Sequence, residues 1–281
     1  AQEPLLAVAA VEGLADDIRI IAAAPLDDDE LLAVHGDRVD ERMKGGWDRR
    51  ARDVVFEEQK RFGALVLERR PVSDPPADAV ISALREGLRR EGLKLLPWSD
   101  PTIRFRQRLA FLHRVDPDHW PAVDDDELLA DIDDWLTPYL SGARRRTDLD
   151  RIDLKAALSH RVGGRRTRDI DRLAPSHLTV PSGSRIPIDY SDESRPVLAV
   201  RLQELFGLTE TPSVADGTVT LVVHLLSPAH RPVQVTTDLA SFWADGYPEV
   251  RRELRGRYPR HDWPEDPTTA APTNRARRRG R

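Results

Sequence analysis

Two short stretches bring metal-binding side chains close together: His113, Asp116, Asp118 and His119, and again His261, Asp262, Glu265 and Asp266. Imidazole and carboxylate groups bind zinc or manganese. However, Pro117 and Pro264 interrupt any helical face that would hold them at a fixed spacing. Solvated loop residues are the expectation, so no metal site is expected. Hydrolytic chemistry fares no better. A Gly-x-Ser-x-Gly elbow is absent, and Pro181-Ser182-Gly183-Ser184 reads as a turn. None of the 16 glycines is followed by lysine, which excludes the phosphate loop that cradles a nucleotide. The chain has no cysteine, which removes thiol nucleophiles, disulfides and Cys-ligated metals. No catalytic residue and no cofactor is expected in this chain.

Basic residues interleaved with aromatics offer a different chemistry. Arg49, Arg50, Arg52, Lys60, Arg61, Arg69 and Arg70 cluster around Trp47, Phe56 and Phe62. Single-stranded nucleic acid is bound by such combinations, with cations along the backbone and rings under the bases. A second basic group closes the sequence: Arg275, Arg277, Arg278, Arg279 and Arg281. The candidate nucleic-acid contacts are therefore Arg49, Arg50, Arg52, Lys60, Arg61 and these five terminal arginines. The competing reading is that Trp47 and Phe56 fill a core and the arginines are solvated. Trp98, Trp135 and Trp243 have apolar neighbours and read as core.

The elements that must position these side chains fall into three groups. Apolar runs at Leu5–Val11 and Ile18–Ala24 flank a turn at Gly13, a hairpin signal. Asp27, Asp28, Asp29 and Glu30 then open a short helix. Strands are expected at Arg38–Met43, Ala51–Gln59 and Ala64–Glu68, separated at Gly45-Gly46 and near Gly63. This order resembles an OB-type barrel lacking its first strand, over residues 1–72. Residues 73–174 read as a small helical domain, with helices near Ala77–Glu91, Pro101–Val115, Asp124–Leu140, Leu149–His160 and Thr167–Leu173. Residues 175–267 read as an α+β domain of order ββαββα. Its Ser182-Gly183-Ser184 turn joins paired strands, Val197–Phe206 forms a helix, and Thr218–Leu226 pairs with Val233–Thr237. Residues 268–281 are expected to be a disordered Arg-rich tail. The fold class expected is thus α+β and multi-domain.

Length and charge set the outer limits. The 281 residues suffice for two or three domains, and 40% are hydrophobic. No apolar run approaches the roughly 20 residues that span a bilayer, so no membrane association is expected and a cytoplasmic location fits. Arginines outnumber lysines 39 to four, and the formal net charge is −5. Residues 251–281 carry +6, which leaves −11 on residues 1–250. A basic end on an acidic body permits local contact with an anionic partner but not a general coating of nucleic acid.

Four long segments carry a family resemblance: PSHLTVPSGSRIPIDY at 175–190, VLAVRLQELFGLTETP at 197–212, LLSPAHRPVQVTTDLASFW at 225–243 and YPEVRRELRGRYPRHDWPEDP at 247–267. They resemble the C-terminal region of the HrpB family of bacterial ATP-dependent helicases, of DEAH/RHA type. Looser similarity runs upstream through GALVL at 63–67 and LLPW at 95–98. The resemblance implies a motor protein that uses nucleotide hydrolysis to act on RNA. It implies ATP and magnesium for the motor, and the motor domains of the parent chain as partners. Neither the phosphate loop nor an Asp-Glu-Ala-His box occurs here, so the motor's catalytic residues have no counterparts. What remains is an accessory region that assists nucleic-acid binding or couples to the motor. The alternative is a docking module that recruits the helicase to a protein partner without touching RNA.

Overall fold

A computed structural model of the chain describes residues 5–13 and 17–275. These residues fall into two compact units, one of those within 5–92 with 140–150 and the other of those within 93–139 with 151–275.

In the first unit, β1 (Leu5–Glu12) and β2 (Arg19–Leu26) form an antiparallel hairpin. It is followed by α1 (Asp28–His35), β3 (Val39–Asp48), β4 (Asp53–Phe62), β5 (Leu65–Pro71) and α2 (Ala77–Glu91). Helix α1 starts at a reciprocal cap. The Glu30 amide donates to the Asp27 carboxylate at 2.7 Å, and the Asp27 amide donates to the Glu30 carboxylate at 3.2 Å. Strands β3, β4 and β5 make a separate three-stranded antiparallel sheet. Helix α2 buries Val80, Ala83, Leu84, Gly87 and Leu88, the i, i+3, i+4 stripe of an amphipathic helix. Against that stripe sits Trp47.

The expected OB-like barrel is not found. Among the described residues β1–β2 and β3–β4–β5 are separate open sheets, and closure would require hydrogen bonds between their edges. The expected break at Gly45-Gly46 is also corrected, because β3 runs through both glycines. A Cβ on Gly45 would lie 2.5 Å from the Phe56 ring, so the missing side chain makes room for a cross-strand aromatic.

The second unit opens with α3 (Asp100–Val115), α4 (Asp125–Ala130), α5 (Ile132–Trp135), α6 (Leu154–Arg161) and α7 (Thr167–Leu173). Strands β6 (His177–Thr179), β7 (Arg185–Asp189), β8 (Val197–Arg201), β9 (Ser213–Val214), β10 (Val219–Thr220), β11 (Val222–Leu226) and β12 (Pro232–Thr236) follow, and then α8 (Leu239–Ser241) and α9 (Tyr247–Arg257). The single helix expected at 124–140 is broken at Asp131, and a tight turn covers Thr137–Leu140. Pro138, with no amide to donate, cannot continue the helix. Trp135, fully buried, donates its indole N–H to the Leu128 carbonyl at 2.8 Å and ties the two short helices together.

The main sheet has strand order β12-β11-β8-β7-β6, with β8 and β11 parallel and the other neighbours antiparallel. Pairing of β6 with β7 across Ser182-Gly183-Ser184, and of β11 with β12, follows the sequence reading. The helix expected at 197–206 is a strand over Val197–Arg201 and a short turn over Leu202–Glu204. Its place between β7 and β11 sets the burial of a strand: Leu198 and Val200 are buried while Ala199 between them is exposed. Residues 268–275, where disorder is expected, are held to the body. The Thr273 amide donates to the Gln203 carbonyl at 3.0 Å, and Arg201 donates to the Asn274 carbonyl at 3.0 Å. Among the described residues no helix is long and apolar enough to cross a membrane.

Candidate nucleic-acid interface

Arg49 and Arg50 occupy the turn between β3 and β4 and are exposed. The same turn holds Arg52 at φ +50° and directs its guanidinium to Glu91, 3.2 Å away. The structure therefore brings these three arginines together at one hairpin tip, where the Asp48 carboxylate accepts from the Arg50 and Ala51 amides at 2.8 and 2.7 Å.

Lys60 and Arg61 lie elsewhere, near the C-terminal end of β4. Lys60 is paired across the sheet with Glu41 on one side and Glu68 on the other. Arg61 faces Asp40 in register and donates to the Ala64 carbonyl at 3.3 Å. Their neighbours are likewise engaged: Arg70 binds Glu68 at 2.7 Å and holds its carboxyl below the ordinary range, and Arg69 binds Glu57 at 2.8 Å. Opposite charges on adjacent strands stabilise the sheet locally and leave little uncompensated positive potential. Of the aromatics, Trp47 and Phe56 are buried and unavailable for stacking on bases, whereas Phe62 is half-buried with Arg38 5.0 Å above its ring.

Arg275 is exposed and its chain is anchored through Thr273 and Asn274. Arg277, Arg278, Arg279 and Arg281 lie outside the described residues.

The metal-ligand groupings separate on inspection. His113 donates from Nδ1 to the Trp120 carbonyl at 2.7 Å, whereas His119 pairs with Asp116 at 2.9 Å. The hydrogen bond from His119 keeps Asp116 below the usual carboxylate range. Among the described residues no group of three His, Asp or Glu side chains could hold a metal ion.

A feature that sequence reasoning missed is a cleft of about 720 Å³ in the second unit, within the 300–1,000 Å³ common for binding pockets. One wall is the face of α3 carrying Ile103, Arg106, Ala110 and His113. Trp98, expected to be core, is half-buried at its edge. The Arg106 guanidinium lies 5.0 Å from the Trp98 ring centre and donates to the Val123 carbonyl and the Asp125 carboxylate, each at 2.6 Å. The helical spacing of 103, 106, 110 and 113 was visible in the sequence, but not which element would leave that face uncovered.

Comparison with known proteins shows what the chain is similar to. Residues 135–267 match the family model described as "ATP-dependent helicase C-terminal". Over 278 residues the chain is 38% identical to the ATP-dependent RNA helicase HrpB of Escherichia coli K12, covering 98% of this chain and 34% of that protein. The chain is a homologue of the C-terminal region of HrpB. A crystal structure of the E. coli DExH-box NTPase HrpB superposes with a TM-score of 0.72 at 38% identity, covering 96% of this chain and 34% of the solved one. A second, of the E. coli DEAH/RHA helicase HrpB, gives 0.62 at 36% identity over 80% of this chain and 29% of the other. The chain thus spans about a third of the length of the HrpB proteins it matches. The mixed helix-and-sheet architecture of both units is that of HrpB.

Proposed function

We propose that this chain is the C-terminal accessory region of an ATP-dependent RNA helicase, where it assists nucleic-acid binding or couples to the motor. The similarity to HrpB along 98% of the chain carries this reading. ATP and magnesium belong to the motor domains of the parent polypeptide. This sequence contains neither a phosphate loop nor an Asp-Glu-Ala-His box, so the chain alone hydrolyses no ATP.

Two surfaces support the two halves of the role. The β1–β2 hairpin exposes Leu6, Val8, Val11, Ile20 and Ile21, each close to half accessible, so it offers apolar area to the domains it would couple to. The Arg49, Arg50 and Arg52 turn offers phosphate contacts that position RNA without reading its sequence, and by sequence Arg275, Arg277, Arg278, Arg279 and Arg281 supply a separate run of positive charge. Titration of single-stranded RNA at rising salt tests the RNA half. Steep salt dependence that weakens on neutralising these arginines supports it.

The second reading, a protein-docking module that does not touch RNA, is favoured by one observation. Residues 1–250 carry a net −11, and the β4 cations Lys60 and Arg61 are already faced by carboxylates. Absence of RNA binding at low salt would put this reading first.

A further inference from the structure

We infer that the cleft along α3 is a docking groove for a basic peptide segment of a protein partner, one carrying arginine or lysine beside aliphatic residues. Its floor is apolar, formed by Leu93, Ile103, Ala110 and Val123. Ile103 is 39% accessible there, although it stands on a helix whose opposite face is core. Aliphatic side chains, and the methylene stems of arginine and lysine, suit such a floor.

The rim selects for positive charge. Three carboxylates line it, Asp124, Asp125 and Glu193, against the two cations Lys94 and Arg106. Arg106 is already committed to Asp125 at 2.6 Å and to the Val123 carbonyl, which leaves one uncommitted cation against two carboxylates. The segment that supplies most of the lining, residues 93–139, contains ten acids and five bases. A polyanion would meet net repulsion in this groove, whereas a basic segment meets complementary charge.

A third observation concerns the donors and acceptors on offer. A backbone carbonyl only accepts, so the His113 Nδ1 that lies 2.7 Å from the Trp120 carbonyl must carry the proton. In the neutral ring Nε2 is then an acceptor, suited to a ligand rich in N–H groups. Trp98 is fixed in turn, with its indole N–H on the Leu93 carbonyl at 2.8 Å and Arg106 over its face. The groove is therefore preformed, which lowers the ordering cost of binding.

The test uses the full chain and two acetylated hexapeptides, one alternating arginine with leucine and the other alternating glutamate with leucine, with oligouridylate as a nucleic-acid probe. Calorimetry should detect the arginine peptide and not the glutamate one. Glu193→Lys and Ile103→Asn, both at accessible positions, should each weaken the arginine peptide by about tenfold or more. Circular dichroism on each variant confirms that the fold is retained. Equal binding of the two peptides, or arginine-peptide affinity unchanged in both variants, overturns the inference. Oligouridylate binding that Ile103→Asn weakens and Glu193→Lys strengthens would also overturn it, and would assign the cleft to nucleic acid instead.

Discussion

The indole of Trp47 rests directly on the backbone of Gly87: a Cβ built on that glycine would lie 2.3 Å from Cδ2 of the ring. Sheet and helix of the first unit approach this closely only because position 87 lacks a side chain. Gly87→Ala should therefore destabilise the unit despite alanine's better helix propensity, by about 1–3 kcal/mol from overpacking. The urea midpoint would show it, and Trp47→Phe in the same background should recover part of the loss.

Arg108 is a buried cation of the second unit. It donates to the Ala174 carbonyl at 2.5 Å, the Ile170 carbonyl at 3.2 Å and the Asp171 carboxylate at 2.5 Å, so it ties α3 to the C-terminal end of α7. Arg108→Met should cost about 2–4 kcal/mol, because the buried Ala174 carbonyl loses its donor, the Ile170 carbonyl keeps only the Ala174 amide, and Asp171 loses its ion pair. Arg108→Lys should rescue little, since a single ammonium cannot span the three acceptors as the planar fork does. Thermal unfolding of the two variants side by side is the check.

Acid should loosen the contact between the 182–184 turn and the 201–204 segment, where Ser182 and Arg201 donate to the Glu204 carboxylate at 2.9 and 2.8 Å. Burial disfavours the charged form of Glu204, but hydrogen bonds from Ser184, Arg201 and Ser182 outweigh it and hold its carboxyl below the ordinary 4.5. A depressed folded pKa gives stability that is fully present above the unfolded value and is lost as pH falls through the folded one. Urea unfolding followed from neutral pH downward should show stability falling below about pH 4.5. Glu204→Gln should be less stable at neutral pH and flatter across that window.

RNA affinity, if carried by the arginines, should fall with salt at a slope of about −0.7 per neutralised phosphate on single strands. Removing residues 275–281, which takes away five positive charges, should flatten the slope while leaving the unfolding transition in place. Replacing Arg49 and Arg50 should flatten it further, and Arg52 should contribute less because Glu91 holds it at 3.2 Å. Filter binding across a salt series distinguishes these contributions.

What could be read from the residues was local. Ala77–Glu91 shows helical periodicity and a proline before its start, and the helix spans those same residues. The 182–184 turn and the β11–β12 pair are likewise set by neighbours in sequence. Errors arose where tertiary context decides. Val197–Phe206 carries apolar residues compatible with either period, and only its place between β7 and β11 makes it a strand. Gly45-Gly46 looks like a break until Phe56 is seen opposite it. For the candidate site the legible part was the presence of basic residues. Their partners were not legible, because Glu41 and Glu68 reach Lys60 only through strand register. The α3 cleft was invisible for the same reason.

The parallel seam between β8 and β11 has a consequence for synthesis on the ribosome. The β6–β7 and β11–β12 hairpins close over short turns, a process of about 1–10 μs. The seam joins Val197 to Val222 and Leu198 to Val223 across the whole 202–221 stretch, so it carries a larger loop-closure cost and forms later. Until β11 has emerged, the nascent chain presents β8 as an open edge, with Leu198 and Val200 on the side destined for the core. That edge is where mispairing and aggregation are kinetically most accessible, and its protection must come from rapid completion of the chain or from a chaperone.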